Sequence, residues 1–128
     1  MTDLRYETIH EELRAAVPEF GPTIDAHLED YDEVLQHPIF GDFARFVSDA
    51  HDRGADELVA RCLEFADRAL RTGDPMVRNL VQVSFVENFG PFRGRELPFV
   101  ESWPDALRAE AHRQRDWQPG DPGGVSMG

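Results

Sequence analysis

The stretch from Asp74 to Phe89 constrains this chain more than any other. It reads Asp-Pro-Met-Val-Arg-Asn-Leu-Val-Gln-Val-Ser-Phe-Val-Glu-Asn-Phe, the most apolar run in the sequence. Asp74 can cap a helix, because its carboxylate accepts from the unpaired amides of a first turn. Pro75 suits the first helical position, where a missing N–H costs nothing. Gly90-Pro91 closes the run. Val77, Leu80, Val81, Ser84, Phe85 and Asn88 recur at helical spacing. Met76, Val83 and Val86 make the other faces apolar too, which predicts a buried helix with the other helices around it. The alternation of Val81, Val83 and Phe85 with polar residues also suits a strand. A run of about 15 residues exceeds the usual strand length, so the helix is preferred.

The rest of the chain divides around this element. A first helix is predicted from Thr2 or Asp3 to about Ala16, with Tyr6, Ile9, Leu13 and Ala16 as its stripe. Two prolines and a glycine between Val17 and Pro22 break it, and Val17 and Phe20 plug the core at the turn. A second helix is expected from about Thr23 to Gln36, with Ile24, Leu28, Tyr31 and Leu35 inward. His37-Pro38 should end it, since the residue before proline avoids the helical region. A third runs from Pro38 to Arg53 with Gly54 as its stop, and a fourth from about Ala55 to Arg71. Gly90 to Leu97 reads as a loop carrying Arg93 and Arg95. Ser102 is placed as the cap of a last helix, Trp103 to Arg115.

The expectation is therefore an all-α domain of about six helices over residues 1–117, followed by a disordered glycine- and proline-rich tail, 118–128. The segments starting at Pro38 and Pro75 resemble each other at an offset of about 37 residues, which suits a short HEAT-like helical-repeat stack. The alternative is that any two amphipathic helices begun by proline look alike.

Charge narrows the partners. The chain has 128 residues, with 25 acidic and 13 basic side chains and a net charge of −12. Every basic residue is arginine. Nucleic acid and anionic membranes both demand a basic face, so neither is expected as a partner. No apolar run reaches the roughly 20 residues of a membrane span. One cysteine, Cys62, leaves no internal disulfide, and cytoplasmic residence is the default expectation.

Val17-Pro18-Glu19-Phe20, Phe40-Gly41-Asp42-Phe43-Ala44-Arg45-Phe46 and Val77-Arg78-Asn79-Leu80 followed by Val83 to Asn88 carry a resemblance. Over roughly Leu4 to Phe89 the chain resembles an uncharacterised bacterial all-helical domain family with no assigned activity. Small acidic helical proteins of this kind occur as immunity partners of bacterial toxins, so the resemblance implies a binding role.

Catalytic and metal motifs are weak. Glu7-x-x-His10 has di-iron spacing, but such sites need two copies and further carboxylates. His10-Glu11-Glu12-Leu13 has Arg14 where a zinc protease needs a second histidine. Cys62 lies among Val59, Leu63 and Ala66, an apolar setting that leaves a thiol inert. Ser48 and Ser84 lack a nucleophile elbow, and Ser84 is on the core face. Gly120 to Gly124 follows no strand and opens no helix, so it forms no phosphate loop. No enzyme activity, cofactor or metal is expected. Asn79, Glu87 and Asn88 interrupt the apolar helix. Glu87 and Asn88 are read as satisfying nearby loop amides or pairing with Arg93 or Arg95; a polar contact site is the other reading.

The sharpest asymmetry lies between Arg14 and Arg45. No arginine occurs there, while Glu19, Asp25, Glu29, Asp30, Asp32, Glu33 and Asp42 do, for a charge of −7. Asp25 with Glu29 and Glu29 with Glu33 are like-charged at i, i+4, which disfavours a helix slightly. The functional reading makes Asp25, Glu29, Asp32 and Glu33 the contact face for a basic protein partner. The plain reading is a solvated acidic face. Two functions are expected: an immunity or antitoxin-like protein neutralising a basic toxin, or a helical scaffold or regulatory module with a non-toxin partner or self-association.

Overall fold

Asp74 caps the central helix as its position predicts. In this computed structural model, which describes residues 4–31, 33–90 and 96–116 (Glu96 in its backbone alone), Asp74 Oδ1 accepts from the Val77 amide at 2.8 Å. The second oxygen reaches 68 residues back, to the Tyr6 amide at 3.1 Å. The Asp74 amide in turn donates to the Leu4 carbonyl. Leu4 and Gly73 form a single parallel bridge. One residue thus starts the central helix and fastens the N-terminal segment beside it.

The described residues are all-α. The helices are α1 Ile9–Ala16, α2 Gly21–Asp30, α3 Gln36–Asp52, α4 Asp56–Thr72, α5 Pro75–Leu80, α6 Glu96–Glu101 and α7 Asp105–Asp116. No strand and no helix long and apolar enough to cross a membrane occurs among them. One core runs through all of them. Phe43 of α3 meets Phe20, Phe40, Phe65 and Phe85. Phe85 continues to Phe89, Trp103 and, through them, Phe99. Val17 and Phe20 are buried at the first turn as expected, and Cys62 is buried on α4.

The central helix is not uniformly α-helical. α5 passes into a π turn, Val81–Phe85, and then a 3-10 turn, Val86–Phe89. A π turn closes i→i+5 bonds and admits one extra residue, and the Val86 amide duly reaches the Val81 carbonyl. The buried face shifts by one position in consequence. Val77, Leu80, Val81, Ser84 and Phe85 face inward as expected, but Val86 and Phe89 follow them, and Asn88 is exposed. Asn88 Nδ2 donates to the Ser84 carbonyl at 2.6 Å, a bond to its own helix. Met76 and Val83 point to solvent, so the helix is buried on one side rather than all round.

Several predicted boundaries move. Leu4 and Arg5 are extended, and α1 begins at Ile9 after a 3-10 turn, because Leu4 is drawn to the Gly73–Asp74 backbone. α2 stops at Asp30, six residues before the predicted end at Gln36, and Tyr31 is extended. Glu29 and Asp30 occupy its last turn, where the negative end of the helix dipole disfavours carboxylates. α3 starts at Gln36, with Pro38 in its first turn. That position needs no intrahelical N–H, so the proline is accommodated. Gly54, at φ 76°, stops α3 as predicted.

The expected loop to Leu97 contains the start of α6, again with a proline, Pro98, in the first turn. The predicted cap Ser102 donates to the Phe99 carbonyl instead, and α7 begins at Asp105. The Leu107 amide in its first turn is accepted by the buried carboxylate of Asp67 on α4, at 2.9 Å. Arg71 Nε bonds the other oxygen at 2.8 Å. The predicted tail from 118 onward lies outside the described residues.

The two proline-led segments differ in register, since Pro75 is the first residue of α5 and Pro38 the third of α3.

Gly73 joins α4 to α5 with no spare room. A Cβ there would lie 2.4 Å from Val77 Cγ1 and 2.5 Å from the Ala69 carbonyl. Gly73→Ala is expected to destabilise the fold by about 1–3 kcal/mol in urea unfolding, through overpacking. Asp67→Ala leaves a buried amide without its acceptor and should cost about 1–3 kcal/mol in the same assay.

Candidate functional site

The catalytic and metal candidates of the sequence are scattered over the described residues. Glu7 and His10 point apart: Glu7 is exposed near Arg5, while His10 is buried and its Nδ1 lies 3.0 Å from Gln36 Nε2. The same Gln36 nitrogen donates to the Tyr6 carbonyl. No group of three or more metal-ligating side chains occurs among the described residues. Burial pushes the Cys62 thiol up to about 12, which keeps it protonated and unreactive. Ser84 has a histidine partner that spacing did not reveal, His37 Nδ1, 47 residues away. The serine is only 8% exposed, so the pair ties α3 to the π turn and offers substrate little access.

The acidic interval is resolved into two parts. Three of the carboxylates are paired, two of them with arginines from other elements. Asp25 accepts from Arg14 at 2.7 Å, and Arg14 holds its carboxyl below the usual carboxylate range. Glu19 binds both terminal nitrogens of Arg61, at 2.9 and 2.5 Å. Those bonds lower the Glu19 carboxyl to about 2. Asp42 is paired with Arg45 and with His27 Nε2, the latter at 2.6 Å. Asp25, read in the sequence as part of an arginine-free acidic face, is therefore compensated by Arg14. Its partner lies on α1, where no i, i+4 rule looks.

The remaining acids stand differently. Glu29, Asp30 and Glu33 are exposed and have no ion-pair partner among the described residues. Asp32 lies outside them. Glu33 sits beyond the end of α2, so Glu29, Asp30 and Glu33 do not share one helical face.

The predicted inward stripe is also overturned. Ile24 is buried and Leu35 partly so, but Leu28 is 37% exposed and Tyr31 49%. Val34 is 39% exposed. The early end of α2 releases Tyr31 and Val34 from helical phase, while Leu28 is exposed in the last turn of α2 itself. Tyr31 lies over the His27 ring, with centroids 6.1 Å apart. Among the described residues, three of the five exposed large apolar side chains thus fall between positions 28 and 34, interleaved with the unpaired acids.

A family model described as a domain of unknown function, DUF7674, matches residues 10–118. The chain belongs to that family. No curated protein and no solved structure matches it. The matched span contains both the exposed stretch and the helices that support it, from α2 through α7.

The buried histidine makes stability depend on pH in a stated direction. Burial holds His10 below its ordinary 6.5, so the unfolded chain takes up the proton first and stability falls as the pH drops below about 6.5. Asp74, held down chiefly by the Val77 amide, acts lower: its stabilisation is present above the ordinary carboxylate range and is lost as the pH falls through its depressed value. His10→Gln should remove the loss near neutrality and keep the acid one, read as urea midpoints from pH 8 to 3. A wild-type and variant difference that does not change between pH 7 and 5 contradicts this assignment.

Proposed function

We propose that this chain is a non-enzymatic binding domain that docks a basic protein through the stretch from Leu28 to Val34. The single observation carrying the reading is the interleaving there of exposed Leu28, Tyr31 and Val34 with Glu29, Asp30 and Glu33, which have no ion-pair partner among the described residues. Apolar side chains supply dissociation-limiting contact and aromatic residues are favoured anchors, while carboxylates around them steer a cationic surface and set the association rate. Glu29 and Glu33 of the predicted contact set stay in this surface. Asp25 is engaged by Arg14 and belongs to its support.

The acidic charge, and the analogy with small acidic helical proteins that serve as immunity partners of toxins, favour a toxin-neutralising role. A second reading, a scaffold or self-associating module, draws on Met76 and Val83, which stand exposed on the central helix.

The test uses the basic product of a gene adjacent to this one, followed by stopped-flow association and dissociation. Glu29→Gln with Asp30→Asn and Glu33→Gln should slow association several-fold and flatten its salt dependence, because exposed charges act over about 8 Å at physiological salt. Leu28→Ser with Tyr31→Ser should speed dissociation by about tenfold or more. A complex whose rates are unchanged by both variants refutes the docking surface. No binding of that product, with concentration-dependent sedimentation abolished by Met76→Ser and Val83→Ser, favours the second reading.

A further inference from the structure

A groove of about 410 Å³ lies at the end of α3 away from the acidic stretch, between α3, the start of α4 and α6. Its lining includes His51, Asp56, Val59, Ala60, Leu63 and Phe99. The volume falls in the usual range for small-molecule sites.

We propose that this groove binds a small organic cation, a primary amine on an apolar body. Three features support that class. The lining is mainly apolar, with Val59 and Leu63 from α4 and Pro104 from the turn before α7. The His51 ring lies flat against Phe99, at 3.8 Å between centroids and 16° between planes, so one wall is held in place by stacking. Phe99 is in turn braced edge-on by buried Trp103 at 5.7 Å. The charge is one-sided: Asp56 is exposed, and its carboxylate has no ion-pair or hydrogen-bond partner among the described residues. Arg53 lies on the adjoining turn but is not part of the lining. An ammonium group can therefore meet the Asp56 carboxylate while its apolar body covers Val59 and Leu63. His51 can accept or donate a further hydrogen bond according to its tautomer. Ala60 leaves the space open, since it is small and exposed.

The test is an NMR titration of the ¹⁵N-labelled full chain with 2-phenylethylamine, and with 3-phenylpropanoate as the ligand of opposite charge. The amine should give saturable shifts at the amides of His51, Val59 and Leu63, with a Kd of about millimolar for so small a ligand. Asp56→Asn should weaken it about two- to fivefold, as for an exposed ion pair. Ala60→Trp should abolish it while leaving the rest of the spectrum in place. Equal affinity for amine and carboxylate, indifference to Asp56→Asn, or shifts that survive Ala60→Trp overturn the proposal. So does an absence of saturable shifts at these amides in the wild-type chain.

Discussion

The Gly73–Asp74 joint holds the fold in register. Gly73 lets α4 and α5 approach until no Cβ fits between them. Asp74 then spends one oxygen on the new helix and the other on the Tyr6 amide. An end group that α5 must satisfy becomes a long-range bond. Asp67 repeats the device, since the first turn of α7 is completed by a carboxylate 40 residues away on α4. Such charge-assisted bonds to backbone amides are stronger than neutral ones. They fix the angle at which elements meet, where aromatic packing alone tolerates exchange.

That scaffold sorts the surface charge. Arginines of α1 and α4 reach across to Asp25 and Glu19, so much of the acidity of the Arg14–Arg45 interval is absorbed locally. Glu29, Asp30 and Glu33 are left over, and they are left beside exposed apolar side chains. A protein under pressure for solubility alone has little reason to expose Leu28, Tyr31 and Val34 together, whereas single exposed apolar residues are ordinary.

Local rules served well where the structure used local partners. The Asp74 cap, the Gly54 stop, the buried Val17 and Phe20, and the inert Cys62 were all legible from neighbours in sequence. Proline could be read two ways. Pro22 reads as part of a break but sits in the first turn of α2, whereas Pro38, read as the start of the third helix, does lie in the first turn of α3. The π turn has no reliable signature, yet it moves Asn88 out and Phe89 in. The Asp25–Arg14, Ser84–His37 and Asp67–Leu107 bonds join distant segments, and no spacing rule reaches them. The candidate surface was half visible: the acids stood out by charge, but Tyr31 belonged to a helical stripe that α2 is too short to complete, and Leu28 is exposed within α2 itself.

Hydrogen–deuterium exchange on the chain alone and saturated with its basic partner measures the central claim most directly. The docking account predicts added protection concentrated in residues 24–36, with the amides of α4 and α7 little changed. Protection confined to the exposed side of the central helix around Met76 and Val83, with residues 24–36 unaltered, contradicts it.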